Sequence, residues 1–300
     1  MIRVGVDFGG TKIEAAALNG DGRILSRIRV PNPGDYDKAL AAVAALVDDL
    51  RAQVGDIASV GVGAPGSVSP SSGLMRNANS LYLNGRRFRE DLELTLKRPI
   101  RLANDANCFA LSEAADGAGA GAASVFGAIL GTGCGGGLVL TGQLIEGANG
   151  VAGEWGHNPL PRPALHEVPG PRCYCGHSGC LEQWISGTGL QKDFLAHTGE
   201  HKTAEDVLSL SRQGRADAVQ AVERLKSRLA RALASVCNLC DPETIVLGGG
   251  LSNAAEIYDG LEDRVREHVF SDAWRADIRR ARWGDSSGVR GAARLWRDGE

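Results

Sequence analysis

No stretch of basic residues breaks the charge balance of this 300-residue chain: 33 Lys and Arg stand against 36 Asp and Glu, a formal charge of -3 at pH 7. An electrostatic surface for nucleic acid therefore has little to be built from. Long apolar runs are missing too, and none approaches the ~20 residues of a membrane-spanning helix. Met1-Ile-Arg-Val leads straight into a strand with a polar motif, so neither a secretory leader nor a DNA-binding segment is expected ahead of it. The expectation is a soluble, cytoplasmic protein with no nucleic-acid and no membrane partner. The G-x-x-x-x-G-K-[ST] pattern of a P-loop is absent. So is a disulfide framework: the seven cysteines are an odd number, and Cys173, Cys175 and Cys180 cluster as metal ligands do. What is present is ordinary globular composition, 43% hydrophobic and 23% charged, enough for two lobes with full cores.

The chemistry gathers around Arg101-Leu-Ala-Asn104-Asp105-Ala-Asn107-Cys108. Pro99 to Ala103 reads as a strand and a helical pattern starts at Ala106, so Asn104 and Asp105 fall where open α/β sheets place their chemistry. Asp105 there is either an N-cap or, near a phosphate site and a sugar hydroxyl, a general base. Upstream, strands Arg3 to Asp7 and Lys12 to Leu18 flank Phe8-Gly9-Gly10-Thr11. That tip is a plain turn or one whose backbone N–H groups approach a polyanion, with Thr11 and Lys12 adding a hydroxyl and a cation. Asp7 beside it is placed to hold Mg²⁺ through water. A helix follows an N-cap at Asp35, with Leu40, Val43, Leu46, Val47, Leu50 and Val54 on one face. The strand Ile57 to Gly63 closes at Pro65-Gly66, where a ligand can reach the backbone or turn chemistry alone operates.

Gly117 to Gly121 reads as a joint, which predicts one lobe over residues 1–116, with a C-terminal helix over about 284–300 packing back on it, and a second over 117–283. Val125 to Leu130 and Gly137 to Leu140 repeat the strand, glycine turn, strand pattern around Gly131-Thr132-Gly133, predicting an internal duplication in which each lobe offers a loop to one phosphate chain. Glu154-Trp-Gly-His157 comes next, then Cys173-Tyr-Cys175-Gly-His177-Ser-Gly-Cys180-Leu-Glu182. Three thiolates and one imidazole form a closed tetrahedral zinc set. His157 is the expected fourth ligand, His177 the competitor, and free buried thiols the alternative. A zinc-bound His157 keeps its other ring nitrogen for a ligand. Val219 to Cys240 is a long amphipathic helix stopped at Asp241-Pro242, with Cys237 and Cys240 read as core. Thr244 to Leu247 is a strand ending in Gly248-Gly249-Gly250, bare backbone against which a base or ribose can lie.

Asp7-Phe-Gly-Gly-Thr-Lys12, Leu102-Ala-Asn-Asp-Ala-Asn107, Leu130-Gly-Thr-Gly133, Gly153-Glu-Trp-Gly-His157, the Cys173/Cys175/Cys180 run and Leu247-Gly-Gly-Gly250 together resemble the ROK family of sugar kinases and sugar-responsive repressors. The resemblance runs through the whole chain in order, and within the family it points to bacterial fructokinases. It implies a two-lobed actin-like (RNase H-type) α/β fold with ATP and sugar in the interlobe cleft. It implies Asp105 as general base, and Asn104, Glu154, His157 and Glu182 on sugar hydroxyls; the Pro65-Gly66 turn is grouped with this substrate set. Gly9, Gly10, Thr11, Lys12, Gly131, Thr132 and Gly133 would flank the phosphates, and Gly249 and Gly250 the adenosine. His157, Cys173, Cys175 and Cys180 would hold a structural Zn²⁺. The implied reaction is ATP- and Mg²⁺-dependent phosphorylation of D-fructose at O6, with D-mannose as a second substrate and a homodimer as the assembly. N-acetylglucosamine kinase, glucokinase and a sugar-responsive repressor are the alternatives.

Overall fold

Glycine turns and alternating burial build the first sheet. In the computed structural model, which describes residues 1–297, β1 (Arg3–Phe8), β2 (Lys12–Leu18) and β3 (Ile24–Pro31) form an antiparallel meander. Every second side chain of β3 is exposed, as suits an edge strand. Helix α1 (Tyr36–Val54) starts where the Asp35 carboxylate accepts the Lys38 N–H at 3.0 Å. Then come β4 (Ser59–Ala64), parallel to β1, a ribbon of β5 (Ser67–Val68) and β6 (Met75–Arg76), α2 (Phe88–Leu96), β7 (Ile100–Asn104), parallel to β4, and α3 (Asp105–Asp116).

The chain continues through β8 (Ser124–Leu130), β9 (Cys134–Leu140) and β10 (Gln143–Ile145). Helices α4 (Glu182–Ile185), α5 (Gly187–Thr198), α6 (Ala204–Arg212) and α7 (Ala216–Cys240) follow, then β11 (Thr244–Gly248), α8 (Leu261–Arg266), β12 (Asp277–Arg280) and α9 (Ser287–Ala293). The two five-stranded sheets have the orders β3-β2-β1-β4-β7 and β10-β9-β8-β11-β12. Each is three strands consecutive in the chain followed by two added in parallel, so the second sheet repeats the plan of the first.

The chain divides into two compact units, one of residues 1–121, 137–153 and the chain from Arg282 on, the other of 122–136 and 154–281. The boundary expected at 116/117 thus moves to 121/122, and 137–153, expected in the second lobe, belongs to the first unit. Gly137 shows why: it lies so close to α3 that a Cβ there would stand 2.8 Å from Ala110 Cβ and 3.0 Å from the Ala106 carbonyl oxygen.

In the first unit Val4, Val6 and Ile13 pack on Val43, Leu46 and Leu50 of α1, while Phe8 meets Phe88 edge-on with centroids 5.0 Å apart. Helix α9 touches β1, β4 and α3 backbone to backbone. A Cβ would lie 1.8 Å from Val289 O at Gly5, 1.9 Å from Ala292 O at Gly61, and 1.7 Å from Cys108 O at Gly291. Glu113, fully buried on α3, accepts the N–H groups of Ala118, Arg282 and Trp283 and the Ser287 hydroxyl, which ties the chain before α9 to α3. In the second unit α7 buries Leu225, Leu229 and Leu233. Cys237 is core as expected, but Cys240, at the last turn, is exposed. Among the described residues no helix is long and apolar enough to cross a membrane.

Candidate active site

Asn104 ends β7 and caps α3. Its Oδ1 accepts the Ala106 N–H at 2.8 Å while its Nδ2 donates to the Gly66 carbonyl at 3.1 Å, so the Pro65-Gly66 turn and the strand–helix junction are locked together. Gly66 sits at φ 79, and a Cβ there would stand 2.3 Å from Arg76 O, which leaves glycine as the residue for this turn. Asp105 shares the Ala106 N–H through Oδ1 at 2.8 Å and is exposed at the start of α3. Capping therefore does not depend on Asp105.

Asp7, near the end of β1, has its pKa raised to about 6, first by burial and then by the carboxylates of Asp105 and Glu14, against the pull of Lys12 and Arg29. A buried carboxylate crowded by two others is a place where a divalent cation offsets repulsion. The hairpin tip beside it is held by a residue that sequence reading passed over as loop. Asn32 donates its side-chain amide to Gly9 O at 2.7 Å and its N–H to Thr11 O at 2.9 Å. With those carbonyls engaged, the exposed N–H groups of Gly10 and Thr11 have no protein acceptor among the described residues. Lys12 Nζ stands 3.8 Å from Asp285 Oδ2.

The second unit assembles another constellation around the turn of Gly131, Thr132 and Gly133. Gly131 donates its N–H to Gly133 O at 3.0 Å, and its own carbonyl accepts from Gly187 N at 2.7 Å. Glu182 Oε2 accepts the Cys134 N–H at 3.1 Å, and a Cβ at Gly133 would lie 2.6 Å from that oxygen. Gly249, at φ 80, fits against the Leu130-Gly131 backbone, where a Cβ would come within 2.6 Å, and Gly250 beside it is exposed. The Glu154 to His157 turn packs here too: Trp155 Nε1 donates to Gly135 O at 2.8 Å, and Gly156 lies against Cys134 O. Glu154 is exposed.

His157, Cys173, Cys175 and Cys180 place their donor atoms within 4.8 Å of one another. Cys173 Sγ lies 3.6 Å from His157 Nδ1, and Cys175 Sγ 3.5 Å from Cys180 Sγ. Three thiols and one imidazole at this spacing fit a closed tetrahedral zinc site. His177 is outside the group, exposed, with its carbonyl accepting the Cys173 N–H at 2.8 Å. The second ring nitrogen of His157, expected to meet a ligand, instead stands 3.0 Å from the Tyr174 hydroxyl. Tyr174 drew no attention in the sequence because its only signal is its place between two cysteines.

With a duplicated α/β plan, a glycine turn opening each sheet and a Cys₃His cluster in place, the class follows from comparison: the ROK family profile matches residues 3–299, and the chain belongs to the ROK family. It is 43% identical over 296 residues to N-acetyl-D-glucosamine kinase of Vibrio cholerae, over 97% of this chain and 98% of that protein. It is also similar to the crystal structure of a ROK hexokinase from Thermus thermophilus, with TM-score 0.87 and 33% identity over 98% of this chain and 97% of that one. A ROK family glucokinase from Streptomyces griseus, in complex with glucose and AMPPNP, matches with TM-score 0.80 and 31% identity over 100% of both chains. The ROK resemblance and the two-lobed α/β fold read from the motifs are borne out. The expected fructokinase branch is not: the relatives at 40 to 43% identity are N-acetyl-D-glucosamine kinases.

Proposed function

We propose that this chain is an ATP-dependent N-acetyl-D-glucosamine kinase that forms the sugar 6-phosphate and ADP. The observation that carries the reading is 43% identity across nearly the full length to an N-acetyl-D-glucosamine kinase. It replaces the fructose expectation. The exposed Asp105 carboxylate takes the hydroxyl proton as that oxygen attacks the γ-phosphorus; the new P–O bond forms as the bond to the bridging oxygen breaks and ADP leaves. Asn104, tethered to Gly66 O, orients the same hydroxyl. The N–H groups of Gly10 and Thr11, with Lys12 and the turn of Gly131, Thr132 and Gly133, hold the phosphates. Gly249 and Gly250 receive the adenosine, and Glu154 and Glu182 bind sugar hydroxyls. Asp7 is the residue that would hold Mg²⁺, which neutralises phosphate charge when bound. His157, Cys173, Cys175 and Cys180 would hold a structural zinc that stiffens the sugar-binding loop.

Sites built from fixed donors and acceptors reject a ligand that leaves them unpaired. An ADP-release assay over N-acetylglucosamine, glucose, mannose and fructose at matched concentrations tests the choice. N-acetylglucosamine is expected to give the highest kcat/KM. Glucose in first place would favour the hexokinase and glucokinase likeness instead, and no ADP release with any of the four would remove the kinase reading itself.

A further inference from the structure

The phosphotransfer reading leaves unused a concentration of charge between the loop 158–172 and α7. Arg228 donates Nε to Glu167 at 2.9 Å and Nη1 to Asp193 at 2.7 Å. Arg231 donates to both oxygens of Glu167 at 2.9 Å, and through Nη1 to the carbonyls of Pro161 and Arg162 at 3.2 and 2.8 Å. Arg224 spends Nε and Nη2 on Asp193 at 2.9 and 2.6 Å. Glu223 pairs with Lys226 at 3.0 Å and with Arg264. Together with Arg162, this network sets six cations against three carboxylates among the described residues. Burial alone would raise the Glu167 carboxyl, yet Arg231 and Arg228 hold it down to about 2. Burial, then Arg162, pushes the His268 imidazole below its ordinary value.

Of these groups Arg162, Arg224, Arg231, Glu167, Glu223 and His268 line an open pocket of about 600 Å³, three guanidiniums against two carboxylates. Two of its guanidiniums have donors to spare. Arg224 keeps Nη1 without a protein acceptor among the described residues, and the exposed Arg162 meets a side chain only at His268 Nδ1, 3.4 Å from its Nη1. The Arg162 backbone is held at φ 47, a left-handed conformation that non-glycine residues rarely adopt, while Arg231 clasps its carbonyl. A positive pocket with a strained residue at its rim and unspent planar donors on its wall is built to receive anions.

We propose that this pocket binds a small organic polyanion carrying two or more phosphate or carboxylate groups, with Arg162 and Arg224 as its forked donors. Calorimetric titration of the full chain with inorganic pyrophosphate and with citrate tests it, in saturating ADP and at constant ionic strength. At least one probe is expected to bind wild type, with affinity reduced about tenfold or more in Arg162→Ala and lost in Arg162→Glu. Arg162 is exposed, so thermal melts of both variants should match wild type and separate loss of the site from loss of the fold. Wild type that binds neither probe would overturn the proposal, as would Arg162→Glu that binds them as wild type does.

Discussion

Asn104 carries the helix cap and the tie to Gly66 O, so the cap does not depend on the neighbouring Asp105, the proposed general base. Asp105→Asn is nearly isosteric and spares that cap, so sugar affinity should stay within a few-fold while kcat falls by on the order of 10² or more. Single-turnover and steady-state assays would show it, and a near-wild-type kcat would sink the general-base role. Asp7 supplies a pH prediction. Its folded pKa of about 6 lies above the ordinary 3.8, so the folded state binds the proton more tightly than the unfolded state. The stability this contributes is present at low pH and is lost as pH rises from about 4 through about 6. In metal-free protein Asp7→Asn should therefore raise the melting temperature above pH 7 by a few degrees and flatten the slope between those pH values, while activity is lost. A variant that melts below wild type at every pH would refute this account.

At the scale of elements, α9 and the cysteine loop are the two most demanding fits. Gly5, Gly61 and Gly291 let α9 approach β1, β4 and α3 to a distance at which a Cβ meets backbone oxygen rather than a movable side chain. Gly291→Ala should cost roughly 1–3 kcal/mol in urea unfolding, the usual scale of overpacking, and an unchanged midpoint would show that the helix shifts at no cost. The cysteine loop joins His157 to Cys173 through sixteen residues of sequence separation, and its donors converge before any metal is considered. Elemental analysis should find about one zinc per chain. Cys173→Ser should lose the metal and lower both thermal stability and sugar affinity. Metal-free protein with full activity would remove the zinc site.

For the whole molecule, the repeated sheet plan explains why there are two glycine turns. Each copy places such a turn between its first two strands, Gly9 to Thr11 in one and Gly131 to Gly133 in the other. The copies then diverge. The first unit adds the Asn104-Asp105 junction, and the second adds the Glu154, His157 and Glu182 group with its cysteine cluster. A homodimer, proposed from the family resemblance, would sediment at twice the 31.4 kDa chain mass, and a single species at chain mass would rule it out.

By itself the sequence determined what depends on near neighbours. Turn glycines between alternating strands, the Asp35 cap, the stop at Asp241-Pro242 and the cysteine spacing are all readable because their physics acts within a few residues. The short edge strand β12 and the amphipathic β3 escaped that reading because their charged, half-exposed residues lack a strand signal without the neighbour they pair with. Tertiary structure alone decided what depends on residues far apart in the chain. It put 137–153 with the first unit through Gly137 and α3, gave Glu182 the Cys134 N–H, and set Tyr174 against the His157 nitrogen meant for a ligand. It also raised the pKa of Asp7, first by burying it and then by bringing the charge of Asp105, ninety-eight positions away, to act on it. Burial and Coulomb repulsion are functions of distance in space, and sequence separation carries no measure of that distance until the chain has folded.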